Sequence, residues 1–595
     1  MYGPIQSLID QARGELQQGR TQSASALLTR ALKAQPRDFD ALHLMGLTQT
    51  MQGDTQAGIA SFRKALSVKS SDYRLQFNLA KALSETGQDS EALKCHRKAT
   101  QLDPSQPQAW LNLGQCLGRL QRTDEALAAY DRALAVAPQY AAAWNNKGLA
   151  LQALRRQVSA LEAIDQAIQF QPDMAEAHFN RGNVLDTLGR YSEALTSYAR
   201  ALDLKPDYTE AMNNQGTVLA ELERLEEALT CYEWVLARHP NHARAWYNKG
   251  NALLALTGPE QAEACYTEAA RIDPNYPDAQ YALGLMLLAR GQFAEGWAKT
   301  EFRWQSMQAS QVKVSMSRPR WGGSPSDRPL LLWGEQGPGD QILYSSVLPE
   351  LADLPQRKMV ALDRRLIPLF GRSMPGFEFV DLAQASDALD FAEHLPLGSL
   401  PRLLRPDTAS FQRARSPFLR ADESRTAALR GKIARPGKLS CGVSWWSNRK
   451  SIGRYKSLSL AQLLAPLASD KLHFVNLQYG DTAAERETLL RDLHIEVQNV
   501  EEVDNFNDLD GLAALIQACD VIITTSNTTA HLAGALGKKT LLLLPSGKGR
   551  LWYWSGQNEQ NLWYPSIRSF EQSEPGDWRN PLANIKRYLD RKVWN

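Results

Sequence analysis

Residues able to do chemistry gather on three loops in the second half of the chain, each after a short apolar run. The first loop lies in LLLWGEQGPGDQILYSS, where Gly337 and Gly339 precede a predicted helix that starts near Asp340. Glycines let a backbone approach a ligand closely, and a helix N-terminus favours an anion or polar substrate. Asp340 is therefore either the N-cap of this helix or a general base that projects into a cleft.

The second loop is rich in cations. It lies in CGVSWWSNRKSIGRYKSL and carries Arg449, Lys450, Arg454 and Lys456 beside glycine and serine. Such a set suits a diphosphate, with Lys456 as a mobile point charge. The alternative interpretation is ordinary solvated loop charge.

The third loop offers hydroxyls and amides at a helix start. In ACDVIITTSNTTAHLAGALGKKTLLLLP a predicted strand leads through Ser526, Asn527, Thr528 and Thr529 into a helix of small residues. Free backbone N–H groups at a helix start favour an anion. His531 is able to bond a phosphate or a sugar, but a single histidine in an apolar helix is also a common structural residue.

Metal and disulfide chemistry are not indicated. Asp508 and Asp510 in NDLDGLAAL fit a D-x-D metal pattern, but they open a predicted helix and are better explained as capping residues. The six cysteines have no CxxC spacing, so we expect them to be reduced, buried and inert.

Alternating apolar and amphipathic segments position these loops. Short apolar runs between amphipathic stretches are typical of βαβ units with a parallel sheet. A basic, proline-marked region near 405–437 divides the runs into two lobes, with a cleft expected between them. The predicted strands are Leu330–Trp333, Met359–Leu362, Glu378–Val380, Leu439–Ser444, His473–Leu477, Val521–Thr524 and Thr540–Leu544.

The first half of the chain repeats every 34 residues. Prolines follow this step from Pro36 to Pro274, with one gap at Ser70, and glycines follow it from Gly46 to Gly284, with Ala80 as the small substitute. The glycines mark positions where two helices must approach closely. The unit QAWLNLGQCLGRLQRTDEALAAYDRALAVAP resembles the tetratricopeptide repeat, which implies stacked helix hairpins with a concave groove.

The ends of this array depart from the pattern. About eight units are readable from residue 36 to 305, and residues 5–34 resemble a degenerate N-terminal cap. In the last unit Thr300 and Arg303 stand where an aromatic residue and an alanine are expected. We expect this unit to cap the array against the second half of the chain.

An asparagine also recurs at the same step. If these amides face the groove, they form a column that hydrogen-bonds an extended polypeptide acceptor, as a similar ladder does in the protein O-GlcNAc transferases. The alternative is that each amide bonds a neighbouring helix. The residues are Asn78, Asn112, Asn146, Asn180, Asn214 and Asn248.

The order of the motifs resembles a known family. The series consists of GEQGPGD, EHLPLGSLP, SPFLRAD, GVSW, HLAGALGK, LLLLP and NLWYPSIRSF. It is similar to that of bacterial tetratricopeptide-containing glycosyltransferases, whose catalytic half resembles the heptosyltransferases (glycosyltransferase family 9, GT-B fold). The resemblance implies that Asp340 is the base, and that Gly337, Gly339 and His394 lie on the acceptor side. It assigns the donor contacts to Lys456, Arg449 and the segment from Ser526 to His531.

One feature departs from that family. Its members usually have Asp-Thr where this chain has Ser526 and Asn527. An aspartate there would help to hold the donor, although serine and asparagine also hydrogen-bond hydroxyls.

The resemblance implies inverting, metal-independent transfer of a sugar from a nucleotide-sugar co-substrate to Ser or Thr of a protein in the repeat groove. The alternatives are transfer to a lipid or polysaccharide precursor, and a non-catalytic repeat adaptor. The expected domains are a repeat superhelix (1–305), a linker (306–328), an acceptor-side lobe (329–435) and a nucleotide-sugar lobe (436–595).

Composition agrees with a small polar ligand. Hydrophobic residues make up 43% and charged residues 22% of the chain, and the net charge of +2 provides no strong field for nucleic acid. The chain has no charged and apolar leader at its N-terminus and no apolar run of about 18 residues, so we expect a cytoplasmic protein without membrane insertion.

Overall fold

The computed structural model describes residues 3–306, 314, 316–413, 417–448, 452–554, 556–557 and 560–592. The chain divides into two compact units, Met1–Val235 and Leu236–Asn595. The first half is built from helices α1 (Pro4–Gln17), α2 (Thr21–Ala34), α3 (Phe39–Met51), α4 (Thr55–Val68), α5 (Tyr73–Glu85), α6 (Asp89–Leu102), α7 (Pro107–Arg119), α8 (Thr123–Val136), α9 (Ala141–Ala153), α10 (Gln157–Phe170), α11 (Ala175–Thr187), α12 (Tyr191–Leu204), α13 (Thr209–Glu221), α14 (Leu225–Arg238), α15 (Ala243–Leu256), α16 (Pro259–Ile272), α17 (Pro277–Ala289) and α18 (Phe293–Thr300).

The repeat glycines lie where the two helices of a hairpin touch. A Cβ on Gly46 would stand 2.5 Å from the ring of Phe62, and one on Gly182 would stand 2.5 Å from the ring of Tyr198. These distances are too short for any side chain, so the aromatic residue 16 positions later requires a glycine at the earlier position. The close helix approach predicted from the glycine series is confirmed.

The C-terminal region contains strands and further helices. The strands are β1 (Leu330–Trp333), β2 (Lys358–Leu362), β3 (Glu378–Asp381), β4 (Glu393–Pro396), β5 (Leu439–Ser444), β6 (Leu472–Asn476), β7 (Val497–Gln498), β8 (Val521–Thr525), β9 (Thr540–Leu544), β10 (Gly556–Gln557), β11 (Gln560–Asn561) and β12 (Ile567–Glu571). The helices are α19 (Pro338–Ser345), α20 (Ile367–Ser373), α21 (Leu400–Leu404), α22 (Glu423–Ile433), α23 (Leu460–Leu464), α24 (Ala483–Leu493), α25 (Leu509–Ala518), α26 (Thr528–Ala535) and α27 (Arg579–Lys592).

These strands form two sheets. The first has the order β3-β2-β1-β4, and all its pairs are parallel. The second has the order β10-β11-β12-β9-β8-β5-β6-β7, parallel from β12 to β7 and antiparallel at β10 and β11. All seven predicted strands are present with bounds within one residue, whereas β4, β7, β10, β11 and β12 were not predicted.

The last repeat is part of the first sheet's core. Phe293 and Trp297 of α18 are buried in the same apolar cluster as Leu330 and Leu332 of β1. The Trp297 indole N–H donates to the carbonyl of Arg405 at 2.8 Å. This packing agrees with the expected capping role of the last repeat. The second compact unit begins at Leu236, within α14.

The described part of the predicted linker also packs against this sheet. Trp321 is 5% exposed, and its backbone N–H donates to the carbonyl of His394 at 2.8 Å. Arg320 forms an isolated parallel bridge with His394. Residues 307–313 and 315 lie outside the described residues.

The six cysteines are free and buried, as expected, and burial raises the pKa of Cys95 to about 11. Across the described ranges, no helix has both the length and the apolarity needed to cross a membrane.

Candidate functional site

A cavity of about 300 Å³ lies between the start of α19, which follows β1, and the start of α26, which follows β8. It therefore combines loops at the carboxyl ends of both sheets, where α/β proteins bind ligands. Predicted site residues that line it are Gly337, Gly339, Asp340, Lys456, Ser526, Asn527, Thr528 and His531. Lining residues that were not predicted are Gln336, Pro338, Ser447, Tyr479, Leu551 and Tyr553.

Asp340 lies in the first turn of α19 and is not its N-cap. The N-cap is Gly337, and Pro338 takes the first helical position, which a residue without an N–H fills well. The capping alternative for Asp340 is therefore wrong. Burial and the Asp340 charge raise the pKa of both Tyr344 and Tyr564 well above the ordinary tyrosine value. Asp340 thus acts electrostatically on residues from both sides of the cavity.

The two glycines of this loop differ in their surroundings. A Cβ on Gly339 would stand 2.9 Å from Cδ2 of His531, whereas a Cβ on Gly337 would meet nothing within 4 Å. Gly339 is therefore required by the close approach of α19 to α26. Gly337 leaves open space beside the cavity.

His531 is held neutral beneath this loop. Burial first, and then the charge of Lys456, lower the pKa of His531 to about 3. Its ring packs against Trp554 at a centroid distance of 4.7 Å, and its Nδ1 lies 3.2 Å from the Tyr564 hydroxyl. The neutral ring keeps its other nitrogen, Nε2, for a further hydrogen bond, and Nε2 is the N–H donor when the Tyr564 hydroxyl donates to Nδ1.

The two residues that depart from the resembled family have partners within the protein. The Trp554 indole N–H donates to Oγ of Ser526 at 2.7 Å. Asn527 is the N-cap of α26, accepting from the backbone N–H of Ala530 at 3.3 Å, and its Nδ2 donates to Oγ of Ser444 at 2.7 Å. These side chains therefore fix the wall of the cavity.

Lys456 brings a cation to the same cavity. It ends the short 3-10 turn Gly453–Lys456, and it is only 3% exposed although it lines the cavity. A buried ammonium beside a helix N-terminus suits an anionic ligand. Arg449, the other predicted donor-binding cation, lies outside the described residues together with Lys450.

Among the described residues that were predicted for the cleft of the C-terminal region, two do not line the cavity. His394 pairs in register with Leu331, contacts Phe391, and accepts at Nδ1 from the indole N–H of Trp333 at 3.1 Å. It is thus on the sheet face opposite to Leu395, whose side chain joins the core around α19. Thr529 is 2% exposed inside α26 and is likewise absent from the lining.

The asparagine column has mostly internal partners. Nδ2 of Asn180 donates to Asn145 at 2.9 Å, and Nδ2 of Asn214 donates to Asn183 at 2.8 Å. Nδ2 of Asn78 lies 2.9 Å from the His43 ring. At these positions the amides bond neighbouring repeats, as the alternative interpretation expected. Asn146 and Asn248 are partly buried.

Asn112 differs from these residues. The side-chain partners of Asn78 and Asn180 lie 35 residues earlier in the chain. For Asn112 that position is Phe77, whose side chain has no acceptor atom. Asn112 instead accepts from Nε2 of Gln108 at 2.8 Å and lines a cavity of about 420 Å³ in the first unit. His96 lies in the lining of the same cavity, and burial lowers its pKa to about 4.

A buried ion pair supports the glycine-rich loop and was not predicted. Glu335, at the beginning of that loop, is 1% exposed and binds Arg303. Its Oε1 also accepts from the backbone N–H of Gly398 at 2.9 Å. The sequence carried one signal of this contact, since Arg303 replaces an alanine expected in the repeat.

Comparisons with known proteins identify the repeats. Family models described as "Tetratricopeptide repeat" match residues 107–140 and 175–208 in one case, and 9–74, 213–258 and 247–296 in another. A third, described as "TPR repeat", matches residues 81–121. The first half of this chain is therefore a tetratricopeptide-repeat solenoid, and the C-terminal region after it contains parallel sheets and helices.

A curated relative matches only in part. Protein FlbA of Caulobacter vibrioides is 30% identical over 324 residues, which cover 51% of this chain and 53% of FlbA. The chain thus spans about half the length of the curated relative that it matches.

Solved structures match over shorter stretches. PilF of Pseudomonas aeruginosa is 21% identical with a TM-score of 0.33, covering 36% of this chain and 97% of PilF. YrrB, titled a TPR protein with an unusual peptide-binding site, is 27% identical with a TM-score of 0.28, covering 31% of this chain and 96% of YrrB.

Proposed function

We propose that this protein is a glycosyltransferase that moves a sugar from a nucleotide-sugar donor to a Ser or Thr hydroxyl of a protein acceptor. The single observation that carries the proposal is that Asp340 and Lys456 line one cavity, each from a different sheet. A carboxylate and a cation in one cavity suit transfer between a hydroxyl and a phosphorylated sugar.

The donor side is assigned to the second sheet. Lys456 and the N-terminal N–H groups of α26 stabilise the negative charge that grows on the diphosphate as its bond to the sugar breaks. The Nε2–H of neutral His531 donates a hydrogen bond to a phosphate or sugar oxygen. These groups supply the positive potential that a metal ion provides in other transferases.

The acceptor side is assigned to the glycine-rich loop. Asp340 removes the proton of the acceptor hydroxyl while its oxygen attacks the anomeric carbon. The bond from that carbon to the donor phosphate breaks on the opposite face, the diphosphate leaves with the electron pair, and the sugar is inverted. The open space beside Gly337 leaves room for the acceptor.

The repeats supply the protein acceptor in this proposal. Tetratricopeptide repeats favour a protein-binding role because their concave surface accommodates an extended chain. In the first unit, Asn112 faces a cavity, whereas Asn180 and Asn214 are engaged within the solenoid. The acceptor is therefore assigned to the groove around α5 and α7.

The test is transfer to protein. Purified chain is incubated with a panel of nucleotide sugars and a cell lysate from a strain that lacks the gene, and modified Ser or Thr residues are located by mass spectrometry. We expect a sugar mass that appears with wild-type protein and not with Asp340→Asn. Modification confined to lipid or polysaccharide would contradict the protein acceptor.

The internal bonds of Ser526 and Asn527 favour a second candidate, a non-catalytic adaptor. Both side chains are used within the protein, where the resembled family has an aspartate for the donor. An adaptor would bind partner proteins through the repeats without turnover of any nucleotide sugar. Donor hydrolysis that depends on Asp340 excludes this candidate, and its absence for every donor tested supports it.

A further inference from the structure

An aromatic cluster extends from one end of the cavity along the second sheet. Trp446, Tyr479 and Phe506 follow β5, β6 and β7, which are neighbouring parallel strands, so all three lie at the same carboxyl edge. The rings of Trp446 and Tyr479 are 4.8 Å apart, and those of Tyr479 and Phe506 are 5.9 Å apart. Tyr479 also lines the cavity, so the cluster is continuous with it.

Phe506 is unusually open for an aromatic residue. It is 50% exposed. The guanidinium of Arg365, from the turn after β2, lies 4.9 Å from the ring centroid, and its Nη1 donates to the Phe506 carbonyl at 2.9 Å. An exposed ring backed by a cation provides a surface on which another planar π-system stacks.

The neighbouring Asn505 has one satisfied and one unsatisfied polar group. Its Nδ2 donates to the carbonyls of Asn476 and Gln478, both at 3.3 Å, which fixes the orientation of the amide. Among the described residues, its shielded Oδ1 receives no hydrogen bond. Because this oxygen is shielded, Asn505 serves to tie the segment before Phe506 to the residues that end and follow β6.

We infer that this cluster, Trp446, Tyr479 and Phe506, is the subsite for the base of a nucleoside diphosphate. The inference rests on the proposed function, since it extends the same ligand from its diphosphate to its base. The base stacks on Phe506, while the diphosphate lies near Lys456. The hydroxyl of Tyr479 accepts from the Asn448 backbone N–H at 2.7 Å, which holds the ring between these two regions.

Charge and position favour a nucleotide base over other occupants. A peptide aromatic side chain would also stack, but it would not place a diphosphate in the adjoining cavity with its buried lysine. A sugar ring lacks the planar π-face that would stack on the free face of Phe506. The aromatic cluster thus matches the one planar part of a nucleotide sugar.

The test is isothermal titration of the full chain with UDP, CDP, ADP, GDP and inorganic pyrophosphate, which lacks a base. Phe506→Ala is compared with Leu490→Ala, because both residues lie in the same lobe and are about equally exposed, at 50% and 49%. We expect wild-type protein to bind at least one nucleoside diphosphate more tightly than pyrophosphate. Phe506→Ala should raise the dissociation constant of that nucleoside diphosphate by about tenfold or more, as expected for lost base stacking. It should leave pyrophosphate affinity unchanged, and Leu490→Ala should change neither.

The outcomes separate this inference from the proposed function. Equal nucleoside diphosphate affinity in wild type and Phe506→Ala overturns the base subsite and leaves the proposed function standing. A wild-type protein that binds pyrophosphate as tightly as every nucleoside diphosphate also overturns the subsite alone. No binding of any of the five ligands overturns both.

Discussion

Arg303 binds both carboxylate oxygens of Glu335, with Nε donating to Oε2 at 2.7 Å and Nη2 donating to Oε1 at 2.9 Å. Arg303 belongs to the turn after the last repeat helix, and Glu335 begins the loop that leads to Asp340. Burial alone would lower the pKa of Arg303, but the charges of Glu335 and Glu301 raise it overall. Arg303 therefore stays protonated, and its bonds to Glu335 fix the glycine-rich loop to the end of the repeats.

Breaking this pair should destabilise the second unit strongly. Arg303→Gln leaves Glu335 buried without its cation, and we expect a loss of about 3–5 kcal/mol in the free energy of unfolding. Arg271→Gln is the control, because Arg271 pairs with Glu268 on the surface with 63% of its side chain exposed. Its loss should stay below about 1 kcal/mol. Denaturant unfolding followed by tryptophan fluorescence measures both, and equal effects would contradict the buried role of Arg303.

Two glycines of one loop give a matched pair of substitutions. Gly339→Ala places a methyl 2.9 Å from His531, so we expect a loss of about 1–3 kcal/mol in stability and a fall in donor turnover. Gly337→Ala meets open space and loses only cap preference, less than about 1 kcal/mol. Thermal unfolding and donor hydrolysis are measured on both variants. If the two variants behave alike, the close approach of α19 to α26 is not what selects Gly339.

Substitutions in the asparagine column should have two different effects, on the stability of the repeats at some positions and on acceptor modification at Asn112. Asn180→Ala removes the donor to the buried oxygen of Asn145, and we expect a loss of about 1–3 kcal/mol in the stability of the repeats. Asn112→Ala removes no such bond and should reduce acceptor modification with little effect on stability. Circular dichroism during denaturation and the transfer assay give the two readouts. Loss of stability in Asn112→Ala with unchanged transfer would reverse this assignment.

Acid should destabilise the protein through its buried histidines. Unfolding restores His531 and His96 to an ordinary pKa near 6.5, whereas in the folded chain these values are about 3 and about 4. Below pH about 6.5 the unfolded state therefore binds more protons, and stability falls as the pH is lowered toward the folded values. The slope from each histidine approaches about 1.4 kcal/mol per pH unit.

Replacing a histidine tests this linkage. Unfolding free energies are measured at pH 7 and at about pH 5 for wild type and His531→Gln, a variant that cannot take up this proton. We expect the variant to lose less stability on acidification than wild type. The difference corresponds to the one proton that His531 takes up when the protein unfolds. An unchanged pH dependence would show that His531 is not held neutral in the fold.

Local patterns predicted much of the fold because they report local requirements. The 34-residue series marked the glycines that touch Phe62 and Tyr198, and the apolar runs located seven strands to within one residue. In contrast, β4 has the sequence EHLP, whose charged residue and proline are poor strand formers, and its pairing to β1 supplies what its propensity lacks. That strand was therefore missed.

The candidate site was predicted in part for the same reason. Glycine, cation and helix-start motifs located Asp340, Lys456 and Ser526, because each motif is contiguous. The sheet face of His394 depends on strand register, which places it opposite Leu331 and away from the core beside α19. Tyr479 and Phe506 come together only through the order of β6 and β7, which no local pattern contains.

The most direct test of this account compares donor turnover and donor binding in Asp340→Asn and wild type. The asparagine keeps the size of the side chain but cannot accept the acceptor's proton as a base. We predict that turnover falls by about 100-fold or more while the dissociation constant of the nucleotide sugar stays within a few-fold. Undiminished turnover in Asp340→Asn, or no binding and no turnover of any nucleotide sugar by the wild type, would contradict it.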